Sequence, residues 1–116
     1  MLSIFDRYLK QNNRHPNLVQ SVEFSLSAGT GETTLVSVTA GQLFFIHRIS
    51  IAVVTAGALA LWSGSVAAGQ RMTGNMTLPA VLNTIEDLFS HAAGSNFVMN
   101  RISSIAVTGN IIYSLV

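Results

Sequence analysis

The side chains best suited to chemistry in this chain are three histidines, His15, His47 and His91, a serine beside one of them, Ser90, and one adjacent carboxylate pair, Glu86 and Asp87. A metal site needs ligands that one element can present together, and these histidines have neither HxH nor HxxxH spacing; the chain also has no cysteine. Ser90 followed by His91 suggests a nucleophile and its base. Adjacent residues rarely aim an imidazole at the neighbouring hydroxyl, however, and there is no GxSxG elbow and no evident buried Asp to orient the ring. Glu86 and Asp87 suit solvation better than shared acid–base work, since consecutive residues on a helix point about 100° apart. Gly64 to Gly69 and Gly69 to Gly74 repeat the glycine spacing of a phosphate loop without the lysine that follows it. His47 falls among apolar residues of an expected strand, where a hydrogen-bonded core histidine is the ordinary case. These residues point to a protein that is not an enzyme and takes no metal or cofactor.

The composition points toward association. With 116 residues the chain makes one domain, yet only 9% of it is charged and 49% is hydrophobic, against about 25% charged residues in ordinary soluble domains. Ser, Thr, Asn, Gln and Gly supply most of the remaining surface, and so little charge implies that other subunits cover part of it, as in a homo-oligomer. The net charge of +1 is unevenly placed, with Arg7, Lys10 and Arg14 near the N-terminus and Asp6 opposing them. Arg48, Arg71 and Arg101 are too widely separated to make a nucleic-acid groove, so no nucleic-acid partner is expected. Ile49 to Trp62 is almost wholly apolar. It is short for a membrane span and is interrupted by Ser50, Thr55 and Gly57, so buried strands are expected there and no membrane partner. The N-terminus shows no secretory signal pattern.

The elements that must position these groups are mainly strands. Residues 1–20 form a separate arm, with Leu2, Ile4, Phe5, Tyr8 and Leu9 at roughly helical spacing ahead of a polar run and Pro16. Residues 21–116 form the domain. Val22, Phe24 and Leu26 alternate with polar neighbours, Ala28 to Gly31 reads as a turn, and Thr33 to Val38 resumes a strand. From Gln42 to Val54 the odd positions, Leu43, Phe45, His47, Ile49, Ile51 and Val53, are expected on the core face. That parity leaves Phe44 and Ile46 facing outward as a candidate contact surface. Thr55-Ala56-Gly57 is expected to turn the chain into a hairpin with Ala58 to Ser63. After Pro79, the spacing of Val81, Leu82, Ile85, Leu88, Phe89 and Ala92 predicts a short helix that stops at Gly94. Ile105, Val107, Ile111, Tyr113 and Leu115 share one parity in a final strand, which Gly109 interrupts as a bulge or kink. The expected class is all-β, a single β-sandwich of jelly-roll type with an N-terminal arm and one short helix.

Two blocks, VTAGQLFFIHRISIAVVTAGALALWSGS from Val38 and AAGSNFVMNRISSIAVTGNIIYSLV from Ala92, resemble small β-sandwich structural proteins of tailed bacteriophages. The likeness covers Thr39 to Ser65 and Ala92 to Val116; Pro79 to His91 departs from the aromatic, Gly-rich loop of that group. The resemblance implies a virion structural protein, a decoration or cement protein that binds the major capsid protein on the outside of the head as a dimer or trimer, after assembly in the host cytoplasm. On that reading Phe5, Tyr8 and Leu9 would anchor the arm, Arg7, Lys10 and Arg14 would serve as its charge partners, and Phe44 and Ile46 would add contact area. The alternative is a receptor- or glycan-binding module of a tail or head fibre, with Trp62 as the aromatic platform beside Ser63 and Ser65.

Overall fold

β-Branched and aromatic residues dominate the last fifth of the chain, and they form one strand of 19 residues, Phe97–Leu115, around which everything else is arranged. The computed structural model describes residues 19–116. These make seven strands: β1 (Val19–Val36), β2 (Phe44–Val53), β3 (Gly57–Ser63), β4 (Gln70–Arg71), β5 (Met76–Leu78), β6 (Leu82–Phe89) and β7 (Phe97–Leu115). All pairings are antiparallel within one curled sheet, so the protein is all-β and sandwich-like. β1 covers one side of β7 from Val19 opposite Ser114 to Val36 opposite Phe97. On the other side, β2 covers the second half of β7 and β3 the first half. β6 lies outside β2, and β4 and β5 lie outside β3.

The sheet is folded across its middle. Phe44 pairs with Leu115 at one end of β7, yet its ring lies 5.4 Å from that of Phe97 at the other end. A straight strand of this length would hold its ends about 60 Å apart. The fold brings Ile46, Ile49 and Ile51 of one layer against Leu59, Leu61 and Met99 of the other, all fully buried. Each such side chain contributes about 1.5–3 kcal/mol through burial. The mouth opposite the corner is stitched by residues 90–96. Ser90 Oγ accepts from Phe44 N–H at 3.1 Å, and Gly64 N–H donates to the Asn96 carbonyl at 2.8 Å.

At the corner the β1–β7 register shifts between Leu26 and Gly29 and again between Gly29 and Gly31, where it passes from Ile105 to Arg101. These bulges free backbone carbonyls that a continuous ladder would have used. Arg101, only 9% exposed, fills the gap: its Nη1 donates to the Ser27 carbonyl at 2.5 Å and to the Ile105 carbonyl at 2.8 Å. Gly29 lies directly under the guanidinium, with room for only a light contact at a Cβ position, 3.5 Å from Nη2.

Several sequence expectations are corrected here. Ala28 to Gly31 is a bend within β1, because β7 continues opposite it. Thr55-Ala56-Gly57 is a corner and not a hairpin: β2 and β3 pair with successive stretches of β7 and not with each other. No helix is found among the described residues, and the expected one is strand β6. Gly109 sits in regular register opposite Phe24, without a kink; a Cβ there would meet the Ser50 carbonyl and the Phe24 ring. Phe44 and Ile46 face inward, 1% and 0% exposed, and are core residues. The cause is one extra residue, His47, between the pairs Ile46–Tyr113 and Arg48–Ile112. This bulge reverses the parity, so even positions before it and odd positions after it share the core face. β6 matches it with Asp87, which stands opposite His47 in the register and takes a left-handed φ of 58°. Ile85 and Leu88 therefore both pack on the core, and their separation imitates a helical period.

Replacing Arg101 by Met keeps the bulk of the side chain but strands the buried Ile105 carbonyl and loses the bond to the partly buried Ser27 carbonyl, so stability should fall by about 2 kcal/mol. Lys should recover little, since it lacks the planar fork. Urea melts of the three proteins measure this; equal midpoints would show that the corner closes without the guanidinium.

Candidate functional site

Among the described residues no group of three His, Cys, Asp or Glu side chains converges. The serine–histidine chemistry resolves into structure. His91 Nδ1 lies 2.7 Å from the oxygen of Ser63, not Ser90, and the backbone N–H of His91 donates to that same oxygen at 3.0 Å. Ser63 is fully buried at the end of β3, so no substrate reaches its hydroxyl. The pair ties β3 to the segment after β6, while Ser90 extends the edge of β2 through Phe44.

Most of the large apolar side chains that the fold leaves exposed lie along β2 and β6. The His47 bulge turns Phe45 outward, and on the adjoining edge strand Phe89 stacks on it with ring centroids 4.5 Å apart and planes at 17°. Phe89 is 65% exposed. His47 meets the other side of Phe45 edge-on at 4.3 Å and places Nε2 2.8 Å from Ser114 Oγ. Leu43 and Val116, both exposed, continue this patch past the end of β2, joined by reciprocal backbone hydrogen bonds. Val54, Val81 and Leu82 are exposed at the corner end of the same two strands. Between the two apolar ends, Arg48 faces Glu86 and Ser50 faces Thr84. No large exposed side chain here is needed for the core, which makes the β2–β6 outer face the candidate contact surface.

A cleft of about 280 Å³ opens beside Phe89, between the free ends of the two layers, lined by Gln70, Arg71 and Met72 on one side and Asp87, Leu88 and His91 on the other. Trp62 does not line it. The Arg71 guanidinium lies 5.3 Å from the centre of the Trp62 ring, a cation–π contact that covers the ring, and the indole N–H is buried without a partner. The residues expected in the arm, Phe5, Arg7, Tyr8, Leu9, Lys10 and Arg14, lie outside the described residues. Of the expected contact set, Phe44 and Ile46 belong to the core; Phe45 and Phe89 take the outward role. The signal was present as two apolar spacings of three, Ile46 to Ile49 and Ile85 to Leu88, each marking a parity switch. No family model matches the chain, and no curated protein matches it in sequence.

Burial pushes the pKa of His47 below its ordinary 6.5, and the nearby Asp87 carboxylate pulls it partly back. The folded chain thus favours neutral His47 more than the unfolded chain does. Its contribution to stability is complete above about pH 6.5 and is lost as the pH falls toward the folded-state value. Urea melts at pH 7.5 and 5.5 should show a loss of stability that His47→Gln reduces; an unchanged pH dependence in the variant would place the titration elsewhere.

Proposed function

We propose that this chain is a virion structural protein, a decoration or cement protein that binds the outside of a tailed-phage head through the major capsid protein and stabilises the shell. The observation that carries the reading is a stacked Phe45–Phe89 pair on the outer β2–β6 face, with Phe89 65% exposed, in a protein with 9% charged residues. Aromatic side chains in that position are what a protein–protein contact desolvates first. The resemblance of the Thr39–Ser65 and Ala92–Val116 blocks to small phage structural proteins supports the same reading. The mechanism is linkage: each attached copy adds buried area across a capsomer boundary and stabilises the assembled shell relative to its parts. Residues 1–17, with three cations and the apolar Phe5, Tyr8 and Leu9, would act as a latch on the capsid or on a neighbouring copy.

A second reading has one observation in its favour. An exposed ring, Phe89, stands at a cleft with Gln70, Arg71, Asp87 and His91, the combination that a glycan-binding module of a fibre would use, in place of the covered Trp62.

Both readings are tested with shells assembled from the major capsid protein encoded in the same genome. Phe89→Ser should lower occupancy of the shells about tenfold or more, a hot-spot loss, and deletion of residues 1–17 should abolish it, with the circular dichroism of the β domain unchanged. Full occupancy by both variants would refute Phe89 and the arm as the contacts, and absence of the natural chain from the shells would refute the capsid reading. Loss of binding to host cells by Phe89→Ser, without any capsid binding by the natural chain, would establish the second.

A further inference from the structure

β1 is a strand of 18 residues with a partner on one side only: among the described residues, no strand pairs with its outer edge. An edge of this length is a template for another strand. The other edges are poor templates. β4 has two residues and β5 three, and β6 is broken by the left-handed Asp87 beside Glu86. β1, in contrast, runs from Val19 to Leu26 in unbroken register with β7. Its core-facing residues, Val22, Phe24 and Leu26, pack against the core yet stay only partly buried, because nothing flanks them on the open side.

We propose that this edge is where a second copy of the chain docks, by antiparallel pairing of β1 with β1 about a two-fold axis at Phe24. The edge is self-complementary. Antiparallel pairing is isologous, so the same edge serves both copies. In the Phe24-centred register Val22 faces Leu26 and Phe24 faces its own copy on the inner side, while on the outer side Glu23 faces Ser25 and Ser21 faces Ser27. Moving the axis to Glu23 places two carboxylates opposite each other, and moving it to Val22 places Gln20 opposite Phe24. Only the Phe24 register of these three matches apolar with apolar and keeps the charges apart. The pairing would cover the half-exposed apolar side chains and join two sheets into one. It does not depend on the capsid reading, since it concerns the free chain.

Sedimentation velocity on the full-length protein, with light scattering, tests the proposal. The natural chain should be a dimer. Ser25→Glu sets a carboxylate opposite Glu23 of the other copy, twice per interface, and should weaken the dimer about tenfold; Ser25→Lys should tighten it by a similar factor. Adding Glu23→Lys to Ser25→Glu should restore the dimer. Thermal melts at a fixed low concentration check that the exposed substitutions leave the fold intact. A monomeric natural chain overturns the proposal. So does a dimer whose affinity moves in the same direction, or not at all, with the Glu and Lys variants.

Discussion

The whole architecture depends on bending one strand of 19 residues back on itself without abandoning its hydrogen bonds, and the buried Arg101 guanidinium makes that bend tenable. A sheet that folds over must break register somewhere along the crease, and each break leaves carbonyls facing the interior. Here the breaks fall at Ser27 and Ile105, and one nitrogen of Arg101 answers both. A buried cation is costly by itself. It is tolerable because it sits where two bulges expose acceptors, and because Gly29 leaves room beside it, although its Nε stays buried without a partner. The layout of the outer faces follows from this geometry. It makes two layers from one sheet, sends β2 and β6 to one layer and β3, β4 and β5 to the other, and leaves β1 along the open side of β7 throughout.

The second constraint is the paired extra residue, His47 in β2 and Asp87 in β6. A single bulge would set the two strands out of phase. Because both strands carry one, Ile46 still faces Leu88 and Ile49 still faces Ile85 across it. The cost is a left-handed Asp and a partly buried imidazole; the gain is that aromatic residues on both strands, Phe45 and Phe89, leave the core and stack together in solvent. A regular strand through Phe45 would have carried it to the interior with Ile49 and Ile51. The bulge is therefore what creates the exposed aromatic surface, consistent with the general use of bulges to re-aim side chains.

The sequence made the class legible wherever strands were regular. The alternation at Val22, Phe24 and Leu26 holds because β1 keeps its register there, and the final strand was recognisable as continuous through Gly109. What failed to show was everything set by a change of register. Phe44 and Ile46 look outward on a parity that assumes no bulge, and Ile85 to Leu88 looks helical for the same reason. Arg101 was invisible as a structural residue because its partners are main-chain carbonyls, which leave no trace in side-chain identity. Gly109 looked like a kink, and its true reason, the Phe24 ring and the Ser50 carbonyl closing over it, is a tertiary contact. Ser90 beside His91 is set aside on sequence alone because neighbours rarely meet, and the partner the fold supplies, Ser63, lies 28 residues away where no spacing could point to it.

The scarcity of charge can now be set against where the apolar surface lies. β1 and Phe89 belong to opposite margins of the same layer, with β7 and β2 between them, roughly three strand spacings or about 14 Å. A contact along one margin therefore leaves the other free. A pair of chains joined through β1 would present two copies of the aromatic patch at the far ends of one continuous sheet, related by the two-fold axis. Two weak patches held at a fixed separation bind a repeating surface far more tightly than either alone, provided that the spacing of the surface matches. A repeating protein lattice is such a surface and an isolated receptor is not. On the proposed β1 pairing, the two patches would meet a repeating partner at two points, which is the arrangement the proposed capsid contact would use.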